Sequence, residues 1–387
     1  MKFPLAERME YIAPFQVMAL LERAKQLQSA GRDIIHMEIG EPDFRTPDTI
    51  VQAGIKALQD GHTGYSPALG IPALREAISG FYASHYGVNV PASRIVVTSG
   101  ASGALLLALG ALVSQGSEVL LTDPGYPCNR HFVRLLEGLP VNIPVGPETK
   151  YQLTPDHLAQ HWNDKTVATL VASPANPTGT LLTPAEIQAL NEACLARHGR
   201  LIVDEIYQGL TYGVEAQTAL ALSEDLFVIN SFSKYFQMTG WRLGWLVVPE
   251  AYLDAVTRLA QNIFISAPTP AQYAALAAFA PDTIQLLEER RHVFAERRNT
   301  LIPLLTELGL KVASEPEGAF YVYADCTGIT DDSYQFAYRA LEETGIALTP
   351  GLDFGSYRAN EHIRIAYTAD THRLVEAVER LGRITRT

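Results

Sequence analysis

The chain has 387 residues, 47% of them hydrophobic and 19% charged, which allows roughly two to three domains of ~150 residues with a concave site between them. A formal net charge of −12 without a Lys/Arg cluster excludes a surface for phosphate backbones, so no nucleic-acid partner is expected. Cys128, Cys194 and Cys326 are odd in number and far apart, which excludes a disulfide framework and a thiolate zinc site; no metal is expected.

In chain order, the opening MKFPLAERMEYIAPF lacks the apolar stretch of a signal peptide, and a cytoplasmic protein is expected. Residues 17–27 (VMALLERAKQL) have helical spacing. Two charge-free runs, 95–117 and 259–281, are long enough to cross a bilayer. Thr98, Ser99, Ser102 and glycines break the first and Pro268 and Pro270 the second, so no membrane partner is expected. From 94 to 249, short runs rich in Val, Ile and Leu alternate with helical patterns: RIVVTSG, EVLLTDPG, VATLVASP, LIVDEIY, LFVINSFSK and LGWLVVP. Such runs, without polar alternation, are the pattern of strands buried on both faces of a parallel sheet. TPAEIQALNEACLARHG (183–199) supplies a crossover helix, with Thr183 and Glu186 spaced as a capping box and Gly199 just past its end. A long charged helix follows over 282–308, and its mixed run EERRHVFAERR (288–298) reads as a solvated face. Strand patterns AFYVYAD and HIRIAY and an amphipathic helix over 370–383 close the chain. The expected organisation is a large α/β domain over 40–281 and a smaller α+β domain built from 1–39 and 282–387.

Loops after the C-terminal ends of parallel strands build sites. After IVVT comes SGASGAL, small residues opening a helix, where free N–H groups and the helix dipole favour an anion. The chain has no Gly-Lys pair, so this is not a Walker loop, and alone it reads equally as a tight strand-to-helix turn. Asp204 ends a buried run, where an unpaired carboxylate is costly. Lys234 follows the next run and Arg242 comes eight positions later, a cation suited to bidentate phosphate contact. Asp204 and Lys234 by themselves also fit a buried salt bridge. Lysine, phosphate grip and buried acid together describe a pyridoxal phosphate site.

Eight motifs occur in one order: GEPDF (40–44), TGYSPALGIPALREA (63–77), TSGASGAL (98–105), DPGYP (123–127), PANPTG (174–179), DEIY (204–207), SFSKYFQMTGWRLGW (231–245) and HIRIAY (362–367). On these the chain resembles, over nearly its whole length, a class I/II aminotransferase of fold type I, in the bacterial branch of the aspartate aminotransferase superfamily. The resemblance implies a mostly parallel seven-stranded sheet with helices on both faces, a smaller α+β domain, pyridoxal 5′-phosphate, amino-acid and 2-oxo-acid substrates, and a homodimer with shared active sites. It implies that Lys234 bonds the cofactor and moves the proton, that Asp204 pairs with the ring nitrogen, that Tyr126 stacks on the ring and that Asn176 and Tyr207 reach its phenolic oxygen. The phosphate then falls to the Ala101 and Ser102 amides, Ser231, Arg242 and Tyr65 of the partner subunit, and the substrate α-carboxylate to Arg364 with Asn176 and the Gly40 backbone. Aspartate-specific relatives carry a lysine where this chain has Ser102, and 261–270 offers no spare arginine. Phe15, in the APFQV segment that closes over the site in this family, favours an apolar or aromatic side chain. The expectation is ping-pong amino transfer favouring aromatic or large apolar donors. A pyridoxal-phosphate-dependent C–S β-lyase or related synthase, sharing Lys234, Asp204 and Arg364, and a non-catalytic sensor that binds the cofactor remain open.

Overall fold

The computed structural model describes residues 4–14 and 16–385. In chain order its strands are β1 (Ile35–His36), β2 (Ile95–Thr98), β3 (Glu118–Asp123), β4 (Leu139–Pro144), β5 (Thr166–Ala172), β6 (Arg200–Asp204), β7 (Phe227–Ser231), β8 (Gly244–Val247), β9 (Tyr321–Asp325), β10 (Ile346–Ala347), β11 (Thr349–Pro350) and β12 (His362–Ala366). Seven of them form one sheet in the order β2-β8-β7-β6-β5-β3-β4, three form the antiparallel sheet β11-β12-β9, and β1 pairs with β10 in parallel.

Within the large sheet the neighbours from β4 to β7 are parallel, and β8 alone is reversed, lying between β7 and β2. An apolar run carries no mark of direction. The connection 232–243 holds no crossover helix, so the chain returns antiparallel beside the strand it has just left. The six expected runs all became strands; β4 is the seventh, which the sequence pattern missed. Pro140, Asn142 and Pro144 interrupt LPVNIP, and the strand sits at the sheet edge, where a missing N–H is tolerated.

Strand side chains alternate between two cores. Val96, Leu121, Ile202, Ile229 and Leu246 join helix residues such as Leu105 and Val256 on one face, whereas Val97, Leu120, Val203, Val228 and Trp245 join the other. This two-faced burial is why the runs lack polar alternation. The first charge-free run folds as β2 and helix Gly100–Leu112, and the second as helices Leu253–Ile263 and Thr269–Leu276. No helix among the described residues is long and apolar enough to cross a membrane.

The helix α1 (Gln16–Ser29) covers the chain's first part, and the capping box of Thr183 and Glu186 forms, with bonds of 2.7 and 3.3 Å. Gly199 is needed for closeness to the Trp162 ring; the left-handed residue past that helix is His198, at φ 60°. The charged run of helix Pro281–Glu307 is not simply a solvated face. Arg297 is 2% exposed and forks onto Asp43 of GEPDF with two 2.8 Å bonds, because this helix packs under the first motif rather than along the surface.

Candidate active site

Six strands of the large sheet run one way, so the ends of β2, β6 and β7 share one rim, and the reversed β8 begins on that same rim. Gly244 stands level with both Thr98 and Ser231. Around this rim lies a cavity of about 440 Å³, closed on one side by α1 and on another by β12.

Asp204 ends β6 inside the cavity wall. Burial pushes its carboxyl up to about 6, against the pull of the Ile206 N–H, which donates to Oδ1 at 3.0 Å, and of Lys234 nearby. Its other oxygen has no hydrogen-bond partner among the described residues. Lys234 stands three residues past β7 and donates to the Gly40 carbonyl, with the rings of Tyr207 and Phe320 at 5.7 and 5.8 Å. Its amine is pushed down to about 8, first by burial and then by Arg364; Arg242 acts the same way, and Glu41 and Asp204 oppose. A direct Asp204–Lys234 salt bridge does not form among the described residues, so that simpler reading of the pair is set aside.

Gly244 has no room for a side chain: a Cβ there would sit 2.8 Å from the Asn230 carbonyl oxygen and 2.9 Å from the Ala101 nitrogen. The start of β8 is therefore pressed against helix Gly100–Leu112, whose first residue is left-handed at φ 69° and whose N-cap, Ser99, makes no side-chain cap. Uncapped first-turn amides, including those of Ala101 and Ser102, are anion donors in waiting. Arg242 reaches the same corner, where a Cβ on Gly100 would meet its Nη2 at 2.8 Å. Ser231 closes the corner, its hydroxyl donating to the Leu243 carbonyl at 3.2 Å.

Arg364, in the middle of β12, is 4% exposed. It donates to Asn176 Oδ1 at 3.0 Å, to Thr349 Oγ1 at 3.2 Å and to the Glu38 carbonyl, while its Nε has no partner. Rings of Tyr321 and Phe354 flank it at 4.4 and 4.9 Å. No carboxylate pairs with it among the described residues, an arrangement that is costly unless an anion arrives. Tyr207 and Tyr321 share a 2.7 Å hydroxyl bond, and Tyr126 lines the cavity between Asn176 and the sheet rim.

The structure thus brings together Gly40, Ala101, Ser102, Tyr126, Asn176, Asp204, Tyr207, Ser231, Lys234, Arg242 and Arg364. Tyr65 is not in this cavity; it is 84% exposed on the surface of its own chain. Phe15 lies outside the described residues. Sequence reasoning missed Tyr321, Thr349 and the cavity wall of Val17, Met18 and Leu21. Tyr321 had a signal only in its motif, as the first aromatic of YVY.

The chain is similar to known proteins over nearly its whole length. Residues 32–381 match the family model described as aminotransferase class I and II. A valine–pyruvate aminotransferase of Mycobacterium tuberculosis is 39% identical over 373 residues, 96% of each chain. An aspartate aminotransferase of Geobacillus stearothermophilus is 36% identical over 394 residues, 98% of each chain. Among solved structures, an aminotransferase from Mycobacterium tuberculosis superposes with a TM-score of 0.96 at 38% identity, over 100% of both chains.

Proposed function

The chain belongs to the class I and II aminotransferases, and from that membership we propose that it carries an amino group from an aromatic or large apolar amino acid to a 2-oxo acid, with pyridoxal 5′-phosphate, in ping-pong fashion. Two features fit that cofactor. Asp204 offers a buried carboxyl suited to a protonated ring nitrogen, and the uncapped amides beside Ser231 and Arg242 suit a phosphate. When bound, the cofactor supplies an electron sink for the bond broken at the substrate Cα.

The family resemblance suggests the protein's own part. Lys234, as a neutral amine, takes and returns the Cα proton. Asp204 would keep the ring nitrogen protonated, Tyr126 would pack against the ring, and Asn176 and Tyr207 would hold its phenolic oxygen. The Ala101 and Ser102 amides, Ser231 and Arg242 would grip the phosphate, with Tyr65 of the partner subunit completing the grip in a homodimer. Arg364 takes the α-carboxylate, beside Asn176 and the Gly40 backbone. Pairing of β1 with β10 supports the division into a body of 40–281 and one made from 1–39 and 282–387.

The observation that carries the reading is Arg364, a buried guanidinium with no ion-pair partner among the described residues, in one cavity with Lys234 and Asp204. The donor class rests on the apolar part of the cavity lining. Val17, Met18, Leu21, Ile39 and Leu105 line it, and the lining cations are Lys234, Arg242 and Arg364, each with a role already. A second substrate carboxylate would lose a charge-assisted bond worth ~1.5–3 kcal/mol, roughly ten- to a hundredfold. The test is kcat/KM for phenylalanine, tyrosine, leucine, valine, alanine and aspartate with 2-oxoglutarate and pyruvate as acceptors. At least tenfold preference for an apolar or aromatic donor over aspartate is expected. The reverse preference overturns the donor class, and release of ammonia, pyruvate and a thiol from cystathionine without any added oxo acid points to elimination instead.

A further inference from the structure

We propose that Asp353 is the fastener that holds α1 over the substrate, a positioning residue on which binding of the amino acid depends more than binding of the cofactor. This rests on reading Arg364 as the α-carboxylate site. The first-turn N–H groups of a helix have no partner within it. In α1 the Val17 N–H donates to Asp353 Oδ2 at 2.7 Å, a buried bond across 336 positions of chain. A carboxylate at a helix N-terminus also complements the helix dipole. Val17, Met18 and Leu21 of the same helix form a wall of the cavity, so the bond sets where that wall stands.

The loop carrying Asp353 is itself anchored from the opposite side. Arg130 Nη2 donates to the Asp353 carbonyl at 3.0 Å, the Gly125 N–H to the Phe354 carbonyl at 2.8 Å, and the Ser356 N–H and hydroxyl to Asp123 Oδ2 at 3.0 Å each. Asp123 and Gly125 lead directly into Tyr126. The same loop lays the Phe354 ring beside the Arg364 guanidinium. One loop therefore joins the apolar wall, the carboxylate site and the strand end before Tyr126, and Asp353 is its contact with the wall. Another tie of α1, Arg23 to Glu342 at 2.6 Å, is exposed, and such pairs hold little. Asp204, Lys234, Ser231 and Arg242 belong to the sheet rim, and the loop's ties toward Tyr126 run through backbone atoms and Ser356, so the cofactor's grip does not run through the Asp353 carboxylate.

The test uses the pyridoxal-phosphate-loaded enzyme with Asp353→Ala and Asp353→Asn. Expected for the alanine variant is a rise of about tenfold or more in donor KM, the size of one lost charge-assisted bond, with kcat and cofactor affinity nearly unchanged. The asparagine variant, which keeps an acceptor oxygen but no charge, should show a smaller rise. Amide hydrogen exchange should quicken in the first turn of α1 and not in β6 or β7. Unchanged KM in the alanine variant overturns the proposal, as does a parallel loss of KM, cofactor affinity and melting temperature, which marks a merely structural residue. Should Asp353→Ala not fold, Asp353→Asn carries the same measurements. The exchange arm decides the fastener alone: unchanged protection sinks it whatever the turnover, whereas a wild-type enzyme inactive with every donor sinks the functional reading only.

Discussion

Lys234 is the residue where sequence and structure meet most closely. Residues 226–241 carry no formal charge except Lys234 itself, and in the fold burial pushes that amine down to about 8. Two arginines, Arg364 and Arg242, add to the burial, and only the second is near in sequence. An amine is active when neutral, so the shift from a usual value of ~10.4 brings the reactive form within about a unit of neutrality. The expected outcome is that capture of pyridoxal phosphate by the cofactor-free protein quickens as pH rises and levels off above about 8. A plateau reached only near pH 10 in stopped-flow absorbance would contradict the assignment, and Lys234→Ala should lose at least ~10²–10³ in turnover with its circular dichroism unchanged. Asp204 was legible because it ends an apolar run, whereas Asn176 and Ser231 were legible only through the motifs that carry the family resemblance. Tyr321 and Asp353 were not, because what matters about them is a contact with distant chain, 114 positions away for Tyr321 with Tyr207 and 336 for Asp353 with Val17.

At the scale of elements, the apolar pattern located six of the seven large-sheet strands, and the proline-broken edge strand β4 escaped it. Direction escaped it too, since the reversal of β8 depends on the length and content of one loop. That reversal gives Gly244 its role. An added methyl would push β8 from helix Gly100–Leu112, an overpacking that typically costs ~1–3 kcal/mol, and would shift the amides of the anion corner. Gly244→Ala is expected to fold with a lowered melting temperature and to bind pyridoxal phosphate about tenfold more weakly, measured by titrating the cofactor's absorbance. Equal affinity with a lowered melting temperature would show that the corner does not depend on this contact. Arg297 teaches a related lesson. A run of charges looks the same in sequence whether it faces water or, as here, partly turns inward, where the buried Arg297 grips the more exposed Asp43.

For the whole molecule, Tyr65 stands 84% exposed and away from its own cavity, while Ile55, Leu58, Ile263 and Ile265 are exposed apolar side chains on neighbouring stretches of chain. Both facts fit a second copy covering this region. Mixing Tyr65→Ala with Lys234→Ala subunits should then restore activity that neither has alone. Each hybrid dimer holds one intact site, so random mixing gives about a quarter of wild-type turnover. No recovery after refolding the mixture would show that the sites are not shared. The pairing of β2 with β8 has a consequence of another kind. Ile95 finds its strand partner in Val247, 152 positions later (247 − 95), and β2 has no other neighbour in the sheet. A ribosome adding about 5–20 residues per second needs roughly 8–30 s to cover that distance. For that interval the apolar strand and the helix after it are outside the tunnel without the surface they will bury, so this region is where a nascent chain most needs a chaperone's protection.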